Sequence, residues 1–145
     1  VLDTNALISG ILLDGNEARI IEEAENNKFK LFISHKILRE LEGVLKRNKF
    51  TRRLKDKETT VNQAIAKISL IATLIKSSNK INIIKEDPDD NRVLECAVAA
   101  GADIIISGDK HLLSLGTFLG IDIMSAGDYF KRKESFNKHP DKSGQ

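Results

Sequence analysis

The sequence predicts an α/β fold built on a mostly parallel sheet covered by helices. Two observations carry that expectation. Short apolar runs alternate with longer stretches at helical spacing along the chain. The run Asp103 to Ser107 (DIIIS) has no polar alternation, the pattern of a strand covered on both faces.

Element by element, Val1-Leu2 reads as the end of a strand. Asn16 caps a helix running to about Asn27, and Lys30 to Ser34 (KLFIS) is a strand. Ser34 then caps a helix through about Arg47, with Ile37, Leu38, Leu41, Val44 and Leu45 at helical spacing. Thr51 to about Ser77 reads as one helix, with Ile65, Ile68, Ile71, Ala72 and Ile75 on its apolar side. Ile81 to Ile84 is a short strand or an extended linker. Asp90 opens a helix ending near Gly101, with Val93, Leu94, Ala97 and Val98 facing inward. After the strand Asp103 to Ser107 come a short helix from His111 to Leu115, a last strand from Ile121 to Met124 and a last helix from Ala126 to Lys133. Residues 134–145 form a polar, basic tail that is expected to be disordered, so one domain spans 1–133.

A chain of 145 residues fits one compact domain. Its 41% apolar content is enough for a core without staples, and a net charge of +2 says little about partners. The one cysteine, Cys96, excludes an intramolecular disulfide and suits a reducing, cytoplasmic setting. No apolar run is long enough for a membrane span. Val1-Leu2-Asp3 lacks the basic-then-apolar pattern of a secretory signal, and without a starting Met a few preceding residues are expected.

Four acids stand in costly positions. Asp3 directly follows the first strand, and Asp109 follows the buried strand after Ser107-Gly108. In a parallel α/β sheet both fall at the carboxyl edge, where ligands bind. Taken singly, each also reads as a turn or helix cap. Glu40 shares a helix face with Ile37 and Val44, where an ionised carboxylate needs a partner or a metal unless its head reaches solvent. Asp90, within Asp87-Pro88-Asp89-Asp90-Asn91, reads either as a cap or as an inward residue on the face of Val93, Leu94 and Ala97. The run is not a calcium loop, because Arg92 and Val98 stand where that loop needs Gly and Glu.

If these acids converge, their repulsion in a cleft calls for a divalent cation. An all-oxygen set favours Mg²⁺ or Mn²⁺ over Zn²⁺. His35, His111 and His139 show no metal-ligand spacing, and the chain has no Ser-His-Asp pattern, phosphate-binding loop or dinucleotide fingerprint. Metal-assisted hydrolysis is the chemistry that is left.

Four separated motifs then resemble PIN-domain nucleases, in the family's order and from Val1 to about Phe130. They are Val1-Leu2-Asp3-Thr4-Asn5, the helix Ile37 to Leu45 around Glu40, Asp87 to Asn91 followed by Leu94-Glu95-Cys96-Ala97, and Ile106-Ser107-Gly108-Asp109 followed by Leu112-Leu113. The chain is similar in particular to the VapC-type toxin components of toxin–antitoxin pairs. The resemblance implies a three-layer α/β/α fold with a central, mostly parallel sheet. It implies an acidic site of Asp3, Glu40, Asp90 and Asp109, with Mg²⁺ or Mn²⁺ held mainly by Asp3, Asp90 and Asp109. Asp89 is the alternative to Asp90. Asn5 and Ser107 would orient carboxylates or water. The implied reaction is RNA hydrolysis leaving a 5′-phosphate and a 3′-hydroxyl, and the implied partners are RNA, an antitoxin protein and a second copy of the chain.

RNA needs positive charge beside such a site. Lys46, Arg47, Lys49, Arg52, Arg53, Lys55 and Lys57 follow the helix carrying Glu40. Lys46, Arg47, Arg52 and Arg53 are the candidate backbone contacts; the alternative is a solvated helix surface. Three rival readings fit less well. A non-catalytic RNA- or protein-binding module predicts a degraded acid set, and all four acids are here. A structure-specific DNA nuclease needs extra loops and helices for which the chain has little room. A haloacid-dehalogenase-like phosphatase needs an Asp where Asn5 stands.

Overall fold

The structure is a computed structural model that describes residues 1–77 and 80–138. Leu2 forms a parallel bridge with Ile106, with Ile106 N–H donating to Val1 O at 2.8 Å and Asp3 N–H donating to Ile106 O at 3.2 Å. The chain then turns at once into α1 (Thr4–Leu12), a helix the sequence does not announce. Its buried residues, Thr4, Ala6, Leu7, Ile8 and Leu12, spread over much of its circumference, so the apolar stripe that marks an amphipathic helix is missing.

α1 packs on α2 (Asn16–Glu25), which is capped by Gly15 rather than Asn16. Gly10 sits in that contact. A Cβ there would overlap Ile21 Cδ1 and lie 3.1 Å from Glu17 O. The Ile21 tip can move, but the α2 backbone cannot do so without repacking. Gly10→Ala is therefore expected to lower stability by about 1 kcal/mol despite alanine's better helix propensity. An unchanged urea midpoint would mean that α1 and α2 separate freely.

β1 (Phe32–Ser34) leads into α3 (His35–Leu45), whose first turn is capped by Ser34 Oγ accepting from Ile37 N–H at 3.2 Å. Ile37, Leu41 and Leu45 bury its inner face. The single helix expected from Thr51 to Ser77 is instead three elements: α4 (Asn48–Asp56), α5 (Val61–Ile71) and β2 (Thr73–Ile75). Glu58 takes a left-handed turn at φ 55°. Thr60 and Gln63 then form a reciprocal capping box that starts α5. Thr73–Ile75 pairs in parallel with β1, Phe32 opposite Thr73 and Ser34 opposite Ile75.

Residues 81–84 form no strand among the described residues and lead into α6 (Pro88–Ala100), which ends at Gly101 with φ 64°. β3 (Ile104–Ile106), α7 (Lys110–Leu115), β4 (Thr117–Phe118), β5 (Ile121–Met124) and α8 (Ala126–Lys138) complete the described chain. β3 runs parallel to β5, and β4 adds antiparallel to β5 through a tight turn at Leu119 and Gly120, both at positive φ. That two-residue strand was not expected; it is too short to show alternation. α8 continues to Lys138, five residues past its expected end at Lys133, so the helix runs into the expected polar tail. The rest of that tail, 139–145, lies outside the described residues.

The fold is mixed α/β with small, largely parallel sheets. The strands hydrogen-bond as β1–β2 and as β3–β5–β4, where the sequence predicts one central sheet. α6 packs against β1, β2 and β3 and so bridges the two. A single apolar cluster joins Leu2, Ile33, Leu41, Leu94, Ile105 and Ile123 across both sheets. Among the described residues, no helix is long and apolar enough to cross a membrane.

Candidate metal centre

Two acids sit where the Leu2 bridge and β3 end. Asp3 caps α1, its Oδ1 accepting from Ala6 N–H at 2.8 Å. Asp109 caps α7, its Oδ1 accepting from His111 N–H at 2.8 Å and Leu112 N–H at 3.3 Å. The capping alternative is thus true of both, and it does not compete with a site, because capping fixes each carboxylate in place. Ser107 joins them. Its Oγ donates to Asp3 Oδ2 and accepts from Asp109 N–H at 2.9 Å.

α6 brings the third acid. Asp87, not Asp90, is its N-cap, with Oδ1 accepting from Asp89 N–H at 3.1 Å. Pro88 at the next position has no N–H to leave unpaired. Asp90 then falls in the first turn pointing inward, only 6% exposed. Its Oδ2 is buried with no hydrogen-bond partner among the described residues. Asp87, Asp90 and Asp109 each offer a carboxylate oxygen, all within 4.8 Å of one another. Asp89 is exposed and outside this group.

The sequence offers Asp90 as the cap and does not single out Asp87, which the structure makes both the cap and a member of the cluster. Asp3 is not one of the three carboxylates, but its charge acts on both Asp90 and Glu40. Burial, and then the neighbouring Asp109 carboxylate, push Asp90 up to about 8. Burial would raise Asp109 too, but hydrogen bonds from His111, Asp90 and Leu112 outweigh it and hold Asp109 below the ordinary range. Burial also raises Asp3, against the pull of Ser107 and Ala6.

Glu40 is half-buried on α3, and burial and then the Asp89 carboxylate push it up, with Thr4 pulling the other way. It borders the cluster without joining it. Asn5 is exposed, and among the described residues its side chain has no hydrogen-bond partner. Lys46, Arg47, Arg52 and Arg53 are all exposed, on the C-terminal end of α3 and on α4. Lys46 pairs with Glu42 at 3.2 Å.

The donor set suits a hard cation. Three carboxylates converge, all donors are oxygen, and one buried oxygen is otherwise unpartnered. Ser107→Ala removes the only side-chain donor to Asp3 among the described residues. That variant is expected to raise Asp3 further and to weaken metal binding about tenfold; calorimetric titration with Mn²⁺ checks it.

The family model described as PIN domain matches residues 1–111. No curated protein matches the chain, and no solved structure matches it.

Proposed function

Because this chain belongs to the PIN domain family, whose members are generally metal-dependent nucleases, we propose that it is an Mg²⁺- or Mn²⁺-dependent endoribonuclease. The observation that carries the reading is the Asp87, Asp90 and Asp109 cluster around the unpartnered Asp90 Oδ2. Those three residues would hold the cation, with Asp3 adding charge beside them. A bound cation would supply Lewis acidity and lower the pKa of a water at the site.

The chain's own residues do the rest. Ser107 and the Ala6 N–H fix Asp3 so that its charge stays directed at the cluster. The α7 N-terminus fixes Asp109. Glu40, bordering the cluster, positions the attacking water. That water's oxygen forms a bond to phosphorus while the P–O3′ bond breaks, leaving a 5′-phosphate and a 3′-hydroxyl. The two small sheets bridged by α6 are the halves of the family's three-layer core in this reading. The toxin resemblance extends it to a cytoplasmic toxin acting with an antitoxin partner and as a homodimer. The distinguishing experiment is cleavage of a mixed RNA pool with Mn²⁺, with Mg²⁺ and with chelator, wild type beside Asp3→Asn. Metal-dependent cutting lost in the variant supports the reading; cutting that survives the variant or the chelator contradicts it.

RNA would be gripped by the basic stretch. Lys46 lies six residues past Glu40, about 9 Å along a helix of 1.5 Å rise per residue. α4 carries Arg52 and Arg53 onward from there. The double variant Arg52→Ala/Arg53→Ala is expected to weaken RNA binding without changing sequence preference. It should reduce the slope of log affinity against log salt by about 1.4, two phosphate contacts on a single strand. An unaltered salt slope would assign α4 to solvent.

A further inference from the structure

The segment from Ile81 to Ile84 lies along α6 without regular secondary structure, and among the described residues no strand pairs with it. Side chains of α6 take the place of that strand. Asn91 is completely buried. Its Oδ1 accepts from Ile83 N–H at 3.1 Å and Ile84 N–H at 2.9 Å, and its Nδ2 donates to Ile84 O at 2.7 Å. A carboxamide is the one side chain that offers acceptor and donor as a peptide group does. One turn further on, Glu95 Oε2 accepts from Ile81 N–H at 2.8 Å, and Arg92 donates to Ile81 O at 3.3 Å.

These bonds close a loop from Ile84 to Asn91 with both ends on one helix. Asp87 lies inside that loop. From downstream it is fixed as the α6 cap, by Asp89 N–H on its side chain and Asp90 N–H on its carbonyl. Upstream, the stitched segment ends three residues before it, and among the described residues no hydrogen bond is made by Lys85 or Glu86 in between. Asp109 alone of the cluster follows a strand of the β3 sheet; Asp90 is carried by the first turn of α6, and Asp87, at the cap, sits where this loop joins the helix, so its place depends on the loop as well.

We propose that Asn91 is a positioning residue for metal binding: its carboxamide clamps Ile83 and Ile84 and thereby holds the Asp87 carboxylate beside Asp90 and Asp109. The inference rests on the metal reading above and adds how the site is held together. Asn91 itself stays out of the site, because both ends of its carboxamide are committed to the Ile83–Ile84 backbone.

The test is a double-mutant cycle read by calorimetric Mn²⁺ titration of wild type, Asn91→Ala, Asp87→Asn and the double variant, each checked for native circular dichroism. Asn91→Ala is expected to weaken Mn²⁺ binding about tenfold or more, as removal of groups that orient ligands does. In the Asp87→Asn background the same change should have no further effect. An equal loss in both backgrounds, or wild-type affinity in Asn91→Ala, overturns the proposal. Should Asn91→Ala not fold, amide exchange of the wild type decides. Site occupancy and segment order are reciprocally linked, so Mg²⁺ should slow exchange at Ile83 and Ile84 several-fold, and unchanged exchange overturns the proposal. A wild type that binds no Mn²⁺ at all overturns the metal reading itself and this inference with it, a result distinct from every arm of the cycle.

Discussion

Asp90→Asn is expected to make the metal-free protein more stable while removing the nuclease activity proposed for it. The Asp90 carboxylate is buried, has an unpartnered oxygen, and faces Asp87 and Asp109. Among the described residues no ion pair or hydrogen-bond donor offsets its charge once it ionises. An amide there removes the repulsion and offers an N–H to the neighbouring carboxylates, worth about 1–3 kcal/mol above the pH at which Asp90 ionises. The pH dependence follows from the direction of its shift. Folding raises Asp90 from an ordinary 3.8 to about 8, so the folded state holds the proton more tightly than the unfolded chain. That contribution is fully present below the unfolded value and is lost as pH rises through about 8. In chelator, urea denaturation should find wild type weaker at pH 9 than at pH 6, and Asp90→Asn nearly level between them. Activity with metal should fall on the order of 10²–10³, the scale seen when one preorganised charge-stabilising group is removed. A variant that is both less stable in chelator at high pH and fully active would contradict both halves.

The largest purely structural loss is expected from Arg92→Ala. The Glu95 side chain is wholly buried, and Arg92 Nη2 lies 2.9 Å from its Oε2. Lys36 Nζ stands 3.7 Å from Oε1, too far for a hydrogen bond. Without Arg92 the carboxylate keeps, among the described residues, only the Ile81 N–H at 2.8 Å as a close partner. Breaking a buried ion pair from one side costs about 3–5 kcal/mol. Arg92 is itself partly exposed, with 30% of its side chain accessible, so about 3 kcal/mol is the expected figure. Arg92→Ala/Glu95→Gln should recover part of it, because the uncompensated charge is gone. Chemical denaturation of the two variants checks this; equal stability of Arg92→Ala and wild type would mean that water already reaches Glu95.

Much of the candidate site was legible because its parts are local patterns. Asp3 and Asp109 each follow a short apolar run, and an acid at the end of a strand can be read in one dimension. Asp90 shares a helical face with Val93 and Leu94, which is a matter of spacing. What joins these acids was less legible. Asp87 was passed over for Asp90 as the cap, and its use in the cluster exists only once β3 brings Asp109 to it. Asn91 and Glu95 are buried by a segment 7 to 14 residues upstream, a contact that no periodicity announces. Asn5 was placed by resemblance alone, and the structure leaves its side chain exposed and unpaired among the described residues.

The fold divides in the same way. α3 and α6 carry clear stripes, and both helices were readable, but the cap of α6 is Asp87, three residues before the Asp90 that the sequence offered. α1 is apolar on too many sides to show a period. The break between α4 and α5 has neither Gly nor Pro; its marks are the Thr60–Gln63 pair and the left-handed Glu58, which the continuous apolar spacing from Ile65 to Ile75 conceals. The same spacing hid β2, whose three residues pair with β1 through tertiary contact. The basic stretch was visible as composition, but the direction its side chains face relative to the acids was not.

The central claim is that three aspartates converge on a cation held at the otherwise unpartnered Asp90. Calorimetric titration of Mn²⁺ into wild type and into Asp90→Asn, both in their native fold at pH 7.5, tests it most directly. Saturable binding to wild type and its loss in the variant is the predicted result. Equal binding by both proteins would place the metal elsewhere, and no binding by a folded wild type would contradict a metal centre in this chain.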